Sequence, residues 1–144
     1  MLWTGYLLQE VEFGSAWHVY PGPEKNGWLV GFSATSALRF MPKEAKASEI
    51  AIKWYEHDPA ESERMGKNKP ISQGRSISIL VNEGGRFEVR FWKDNPDDPL
   101  VVLLTKSSDF VIWGPGVNHE WRCLAPATIL TVRWLPEETP VKPM

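Results

Sequence analysis

From residue 75 to residue 134, apolar and polar side chains alternate with a period of two, interrupted at short intervals by glycine, proline, asparagine and aspartate. That period belongs to strands, whose successive side chains point to opposite faces; a helix repeats near 3.6. Helical periodicity is almost absent. The pattern predicts strands over residues 49–55, 75–82, 87–92, 100–105, 109–113, 119–123 and 128–134. Short strands at such spacing suggest a sandwich or barrel. Eight Trp, 12 Pro and 11 Gly agree with it, because Pro and Gly punctuate while aromatic rings fill a β core.

Residues 82–86 and 93–99 read as hairpin connections. On the first of these hairpins Ile77, Ile79 and Val81 share one face, matched by Phe87, Val89 and Phe91 on the next strand. Ser76, Ser78, Glu88 and Arg90 fall on the other face. The expectation is one apolar core face and one polar face.

The N-terminal third gives weaker signals. Residues 2–8, 11–13, 17–20, 28–32 and 37–40 are candidate strands, separated by a turn-rich stretch at 21–27. Without disulfides, a separate domain of that size would be marginal. Residues 1–47 are therefore expected as extra strands or a cover on a barrel core at 48–135, with a tail at 136–144. Residues 58–74 are polar, with two prolines and no period, the composition of a functional or disordered loop.

With 144 residues the chain is one domain's worth. Its 16 basic and 18 acidic residues nearly cancel, so nothing points to nucleic acid or an anionic membrane surface. No apolar run approaches the roughly 20 residues of a spanning helix, and the first residues lack a basic n-region. These features suggest a soluble, cytoplasmic protein. The single cysteine, Cys123, permits no internal disulfide and reads as buried filler rather than a nucleophile, since no partner base can be assigned to it.

Residues 109–122 carry the most specific signal. Phe110, Val111, Ile112 and Trp113 form a strand, Gly114, Pro115 and Gly116 supply turn chemistry, and His119 follows just past the turn. Gly114, Gly116 and His119 resemble the second sequence motif of the cupins, in which this histidine is usually a metal ligand. Blocks at 49–57, 76–81, 85–89, 109–121 and 128–134 resemble, in order and spacing, a group of short bacterial cupin-like proteins. The resemblance implies an all-β, single-domain double-stranded β-helix, the cupin jelly-roll barrel, with additional N-terminal strands. It also implies that residues near both motifs line a central pocket.

The first cupin motif is incomplete here. It carries His-x-His and then a Glu; counting back seven from Gly85 reaches Ser78, and the nearest upstream histidine is His57, with Glu61 and Glu63 close by on the loop. A stable transition-metal site needs three or four suitable ligands. The cofactor expectation is thus either none or a single divalent transition metal held through His57 and His119. The competing reading of His119 is a pocket-lining histidine bonded to backbone, and His57 and His18 read as surface histidines.

The residues expected to line a ligand pocket are His119, Trp121, Trp54, Arg75, Ser78 and Arg90. Trp54, Trp92, Trp113, Trp121 and Trp134 can form either an aromatic cage or plain core. Lys53, Glu88, Arg90 and Arg75 face solvent or a polar interior; were they interior, they would suit a carboxylate-bearing or sugar-like ligand. Two functional classes follow: a non-catalytic protein binding or sensing an unidentified small molecule, or a cupin-type enzyme, metal-dependent or using His119 as acid or base. No Ser-His-Asp set, phosphate loop or catalytic carboxylate pair can be assigned. The apolar segment at 2–8 suggests pairing with a second copy, giving a homodimer.

Overall fold

A computed structural model of the chain describes residues 1–19, 50–61 and 74–134. The strands are β1 (Leu2–Thr4), β2 (Val11–Ser15), β3 (Ile50–His57), β4 (Arg75–Leu80), β5 (Arg86–Trp92), β6 (Leu100–Leu104), β7 (Asp109–Trp113), β8 (Asn118–Ala125) and β9 (Ala127–Trp134). One short helix, α1 (Ala16–Val19), follows β2. The strands form a four-stranded sheet in the order β1-β6-β5-β8 and a five-stranded sheet in the order β2-β7-β4-β9-β3. Every pairing is antiparallel. The fold is all-β, a two-sheet jelly roll, as the alternation predicts.

Strand boundaries differ from the sequence reading by only a residue or two after residue 49, but the connections differ in kind. The turn at 93–99 is a true hairpin, because β5 and β6 pair. The turn at 82–86 is not: β4 pairs with β7 and β9, whereas β5 lies in the other sheet. The chain therefore crosses between sheets there, and again at β6 to β7, β7 to β8 and β8 to β9. A turn composition marks a reversal without saying whether the next strand pairs with the last.

Residues 17–20 were expected as a strand; the chain instead turns helically from Ala16. Ser15 pairs with Asp109, the first residue of β7, so the ladder has no partner to continue along. Ala16 N donates to the carbonyl of Ser108 as the strand ends. The expected strand at 2–8 is reduced to β1, which pairs with β6 at the sheet edge. The candidate strands at 28–32 and 37–40, most of the 58–74 loop and the tail lie outside the described residues.

The assignment of faces on β4 is corrected as well. The core between the sheets takes Leu80 from β4, together with Phe87, Val89, Phe91, Val102, Leu104, Val111, Cys123 and Ile129. Ser76 and Ser78, which share the face of Leu80, are therefore inward. Ile77 and Ile79 lie on the opposite face, in a second cluster with Phe110, Ile112, Trp134 and Val132. As a central strand, β4 is covered on both faces, so its polar side is not its solvent side.

Asn82 ties two of the sheet crossings together. Its Oδ1 accepts from Thr128 N at 2.7 Å, and its Nδ2 donates to the carbonyl of Pro126 at 3.0 Å. Val81 N adds a bond to the carbonyl of Thr128. Asn82→Ala should cost about 1–2 kcal/mol, since it leaves a half-buried amide and carbonyl without their partners. Urea denaturation of the two proteins checks this, with the loss appearing in the midpoint and not the slope.

Candidate functional site

The register of the five-stranded sheet sets its inward residues in rows. Trp113, Ser76, Arg133 and Ala51 lie side by side on β7, β4, β9 and β3. The next row is Val111, Ser78, Thr131 and Lys53. Beyond it lie Ile129 with Tyr55, and then Ala127 with His57. On the facing sheet, His119 is opposite Phe91, Trp121 opposite Val89 and Cys123 opposite Phe87, all on the inward face. The interior thus grades from an aromatic end near His57 to a polar end near the turn at Gly114.

The aromatic end closes around His57. Its ring centroid is 4.4 Å from that of Tyr55, 4.9 Å from Phe87 and 4.5 Å from Trp121, the last edge-on. Phe87 and Trp121 stack at 5.3 Å. Tyr55 is fixed from outside by donating its hydroxyl to Glu61 Oε2 at 3.1 Å. His57 is only 8% exposed, and its Nδ1 is buried with no hydrogen-bond partner. Burial, reinforced by the nearby charge of Lys53, lowers its pKa to about 4.

The polar end is hydrogen-bonded across strands. Ser78 Oγ and Thr131 Oγ1 lie 2.7 Å apart, and Arg133 Nε donates to Ser76 Oγ at 2.8 Å. His119 is buried beside Trp113, with ring centroids 5.2 Å apart, and Trp113 in turn contacts Phe91. Gly116 takes φ 88° in the turn that delivers β8, a backbone conformation open to glycine at little cost. At Gly114 the guanidinium of Arg75 lies so close that a Cβ would stand 2.0 Å from Nη1.

Of the residues expected at the pocket, His119, Trp121 and Ser78 face the interior; Arg75 does not, because it pairs with Trp134 on the face of β4 that carries Ile77 and Ile79, where its side chain packs against Gly114. Trp54 does not: it is on the outward face of β3 and 59% exposed, because the inward positions of that strand are Lys53, Tyr55 and His57. Arg90 is likewise outward, on the far face of the four-stranded sheet, where its Nε donates to Glu88 Oε1 at 2.9 Å. The sequence reading passed over Tyr55, Phe87, Thr131 and Arg133. The parity that His57 shares with Tyr55 and Lys53 was the available signal.

Among the described residues no group of three or more His, Cys, Asp or Glu side chains is placed to hold an ion. His57 packs at the Phe87 end of the interior and His119 at the Trp113 end, with Trp121 the inward residue of β8 between them. Cys123 is buried filler as expected: its Sγ donates to the carbonyl of Ala125, and burial raises its pKa.

A depressed histidine pKa makes stability pH-dependent. The unfolded chain takes up the proton near pH 6.5 and the folded chain only near 4, so the fold loses stability as pH falls through that window. Discounted for solvent screening, the loss should be on the order of 1–2 kcal/mol. His57→Phe, which keeps the ring packing, should flatten the profile between those values. Denaturation at a series of pH values measures the difference between the two proteins.

No protein family matches the chain, and no curated protein matches it. Among solved structures, it is similar to Streptomyces albus HEPD with substrate 2-hydroxyethylphosphonate and Fe(II) bound, at 14% identity and a TM-score of 0.51. The likeness covers 65% of this chain and 20% of that one, so this chain spans about a fifth of its neighbour. At that identity the likeness is one of fold alone, and with the two antiparallel sheets it supports a cupin-like fold.

Proposed function

We propose that this protein binds or senses a small molecule inside the barrel, without catalysing its conversion. The observation that carries the reading is His57 Nδ1, buried and unbonded within a ring of Tyr55, Phe87 and Trp121. Leaving a buried polar atom unsatisfied costs about 1–3 kcal/mol. A ligand that bonds it and stacks on the surrounding rings recovers that cost, and pockets with aromatic walls and few polar groups suit such ligands. With its pKa lowered to about 4, the imidazole is neutral near pH 7 and can donate at one nitrogen and accept at the other. Against a nucleophilic role for Cys123, its thiol is buried and its pKa raised.

Ligand capture tests the reading. Wild-type protein analysed by native mass spectrometry, and by thermal denaturation against a library of small metabolites, should show a bound molecule or a raised midpoint. Trp121→Ala and His57→Ala should each abolish it. A library without a single hit, or hits indifferent to both substitutions, would refute the proposal, and turnover of a hit would replace it with an enzymatic role.

The same reading includes a homodimer. β1 is the edge of the four-stranded sheet, and Leu2, Trp3, Tyr6 and Leu7 on and after it are exposed. An exposed edge with apolar side chains suits pairing with a second copy. Light scattering should give twice the monomer mass at micromolar concentration, and a monomer mass would overturn this element.

A further inference from the structure

The hydroxyls enclosed at the polar end of the interior are neutral, and they hold more hydrogens than the structure uses. Ser76, Ser78 and Thr131 are buried on the inward face of the five-stranded sheet, as is Trp113. The cations of the same rows, Lys53 and Arg133, are exposed, so charge stays outside the enclosure. Trp113 stands opposite Ser76, and Thr131 opposite Ser78. With strands about 4.8 Å apart and same-face residues about 6.8 Å apart along a strand, the four positions lie within roughly 12 Å of one another.

Counting hydrogen bonds leaves donors over. Ser76 Oγ accepts from Arg133 Nε at 2.8 Å, and its own hydrogen makes no bond among the described residues. Ser78 Oγ and Thr131 Oγ1 share one bond at 2.7 Å, which uses one of their two hydroxyl hydrogens.

Trp113 supplies a second, independent observation. It is 5% exposed, its ring meets Phe91 at 5.6 Å and His119 at 5.2 Å on the facing sheet, and its Nε1 is buried with no hydrogen-bond partner among the described residues. Those ring contacts place the indole between the sheets. An indole nitrogen only donates, so whatever satisfies it brings an acceptor.

We infer that the ligand of this pocket is an uncharged carbonyl compound, its oxygen held by Trp113 Nε1 with the Ser76 hydroxyl beside it, and its apolar body directed along Phe91 and Trp121 toward His57. The inference rests on the pocket proposed above and names the chemistry of its occupant. A carbonyl oxygen has two lone pairs and no hydrogen, which matches a site with donors to spare. A polyol brings hydrogens of its own, whereas the hydroxyl oxygens here already accept from Arg133 and within the Ser78–Thr131 pair. A carboxylate would give up its hydration with no lysine or arginine enclosed on that face among the described residues to offset the loss. An ammonium would meet donors where it needs acceptors. The wall opposite, with Val89 and Phe91 in the core and Trp121 packed against it, suits an apolar and aromatic body.

Titration of the full chain with benzylacetone, butylbenzene and phenylbutyrate tests the inference, because the three share a phenyl body and carry a ketone, no polar group and a carboxylate. Benzylacetone should bind about tenfold or more tightly than either of the others. In nitrogen-labelled wild-type protein, the Trp113 indole N–H resonance should move downfield as the ketone saturates the site. Trp113→Phe keeps an aromatic ring and loses the donor. It should weaken benzylacetone about tenfold and leave butylbenzene unchanged.

Butylbenzene or phenylbutyrate binding as tightly as the ketone overturns the inference, as does a Trp113 resonance that stays in place at saturation. Failure of all three to bind the wild type overturns it too. Both wild-type measurements stand whether or not Trp113→Phe folds. The pocket reading fails separately, when Trp121→Ala and His57→Ala leave every library hit unaffected.

Discussion

The interior of this barrel is decided by the register of β4 between β7 and β9. Side chains along a strand alternate faces, so a slip of one residue exchanges the entire set. In the observed register Ser78 stands opposite both Val111 and Thr131, which places its hydroxyl against that of Thr131 and puts Ser76 beside Arg133. Slipped by one, Ile77 and Ile79 would enter the interior and the serines would enter the apolar cluster around Phe110 and Ile112. Burying two hydroxyls there without partners would cost about 1–3 kcal/mol each, and the isoleucines would lose the contacts that bury them. Hydrogen bonding on one face and apolar burial on the other thus specify the same register.

Much of the fold was legible because antiparallel strands write their period directly into the sequence. From residue 49 onward the strands fall within a residue or two of where alternation and turn residues put them. The connections were less legible. Asn82, Gly84 and Gly85 announce a reversal, but only long-range pairing decides that β4 joins β7 and β9 while β5 joins β6 and β8. The two faces of β4 were misread for a related reason. Alternation says that faces differ, and an apolar face is normally the buried one; in a sheet covered on both sides that inference has no footing.

The candidate site was legible in the second motif and obscure in the first. The turn at Gly114 to Gly116 fixes β8, and β8 delivers His119 and Trp121 inward by parity alone. His57 is different in kind. It ends an edge strand, where a histidine usually meets solvent, and it becomes buried because Trp121 and Phe87 from the other sheet close over it. Contacts between sheets leave no local trace in a sequence. Trp54 shows the converse, since its size suggested a pocket wall, while its parity with Ile50 and Ile52 sets it on the outward face of β3.

A polar interior is expensive for a small barrel, and the second core explains how this one remains a folded domain. Ser76, Ser78 and Thr131 occupy inward positions that would otherwise bury aliphatic side chains worth about 1.5–3 kcal/mol each. On the opposite face of the same sheet Ile77, Phe110, Ile112 and Trp134 are buried, four large side chains with a contribution of the same order apiece. That outer cluster offsets what the inner rows give up, and the aromatic end of the barrel adds Phe87 and Trp121 to the balance. Because β7, β4 and β9 are held from outside, the inward positions of Ser76, Ser78 and Thr131 need not be filled with hydrocarbon. The division of labour between the two faces of one sheet follows from the period-two alternation: Ile77 and Ile79 hold the sheet from one side while Ser76 and Ser78, between and beside them, furnish the other.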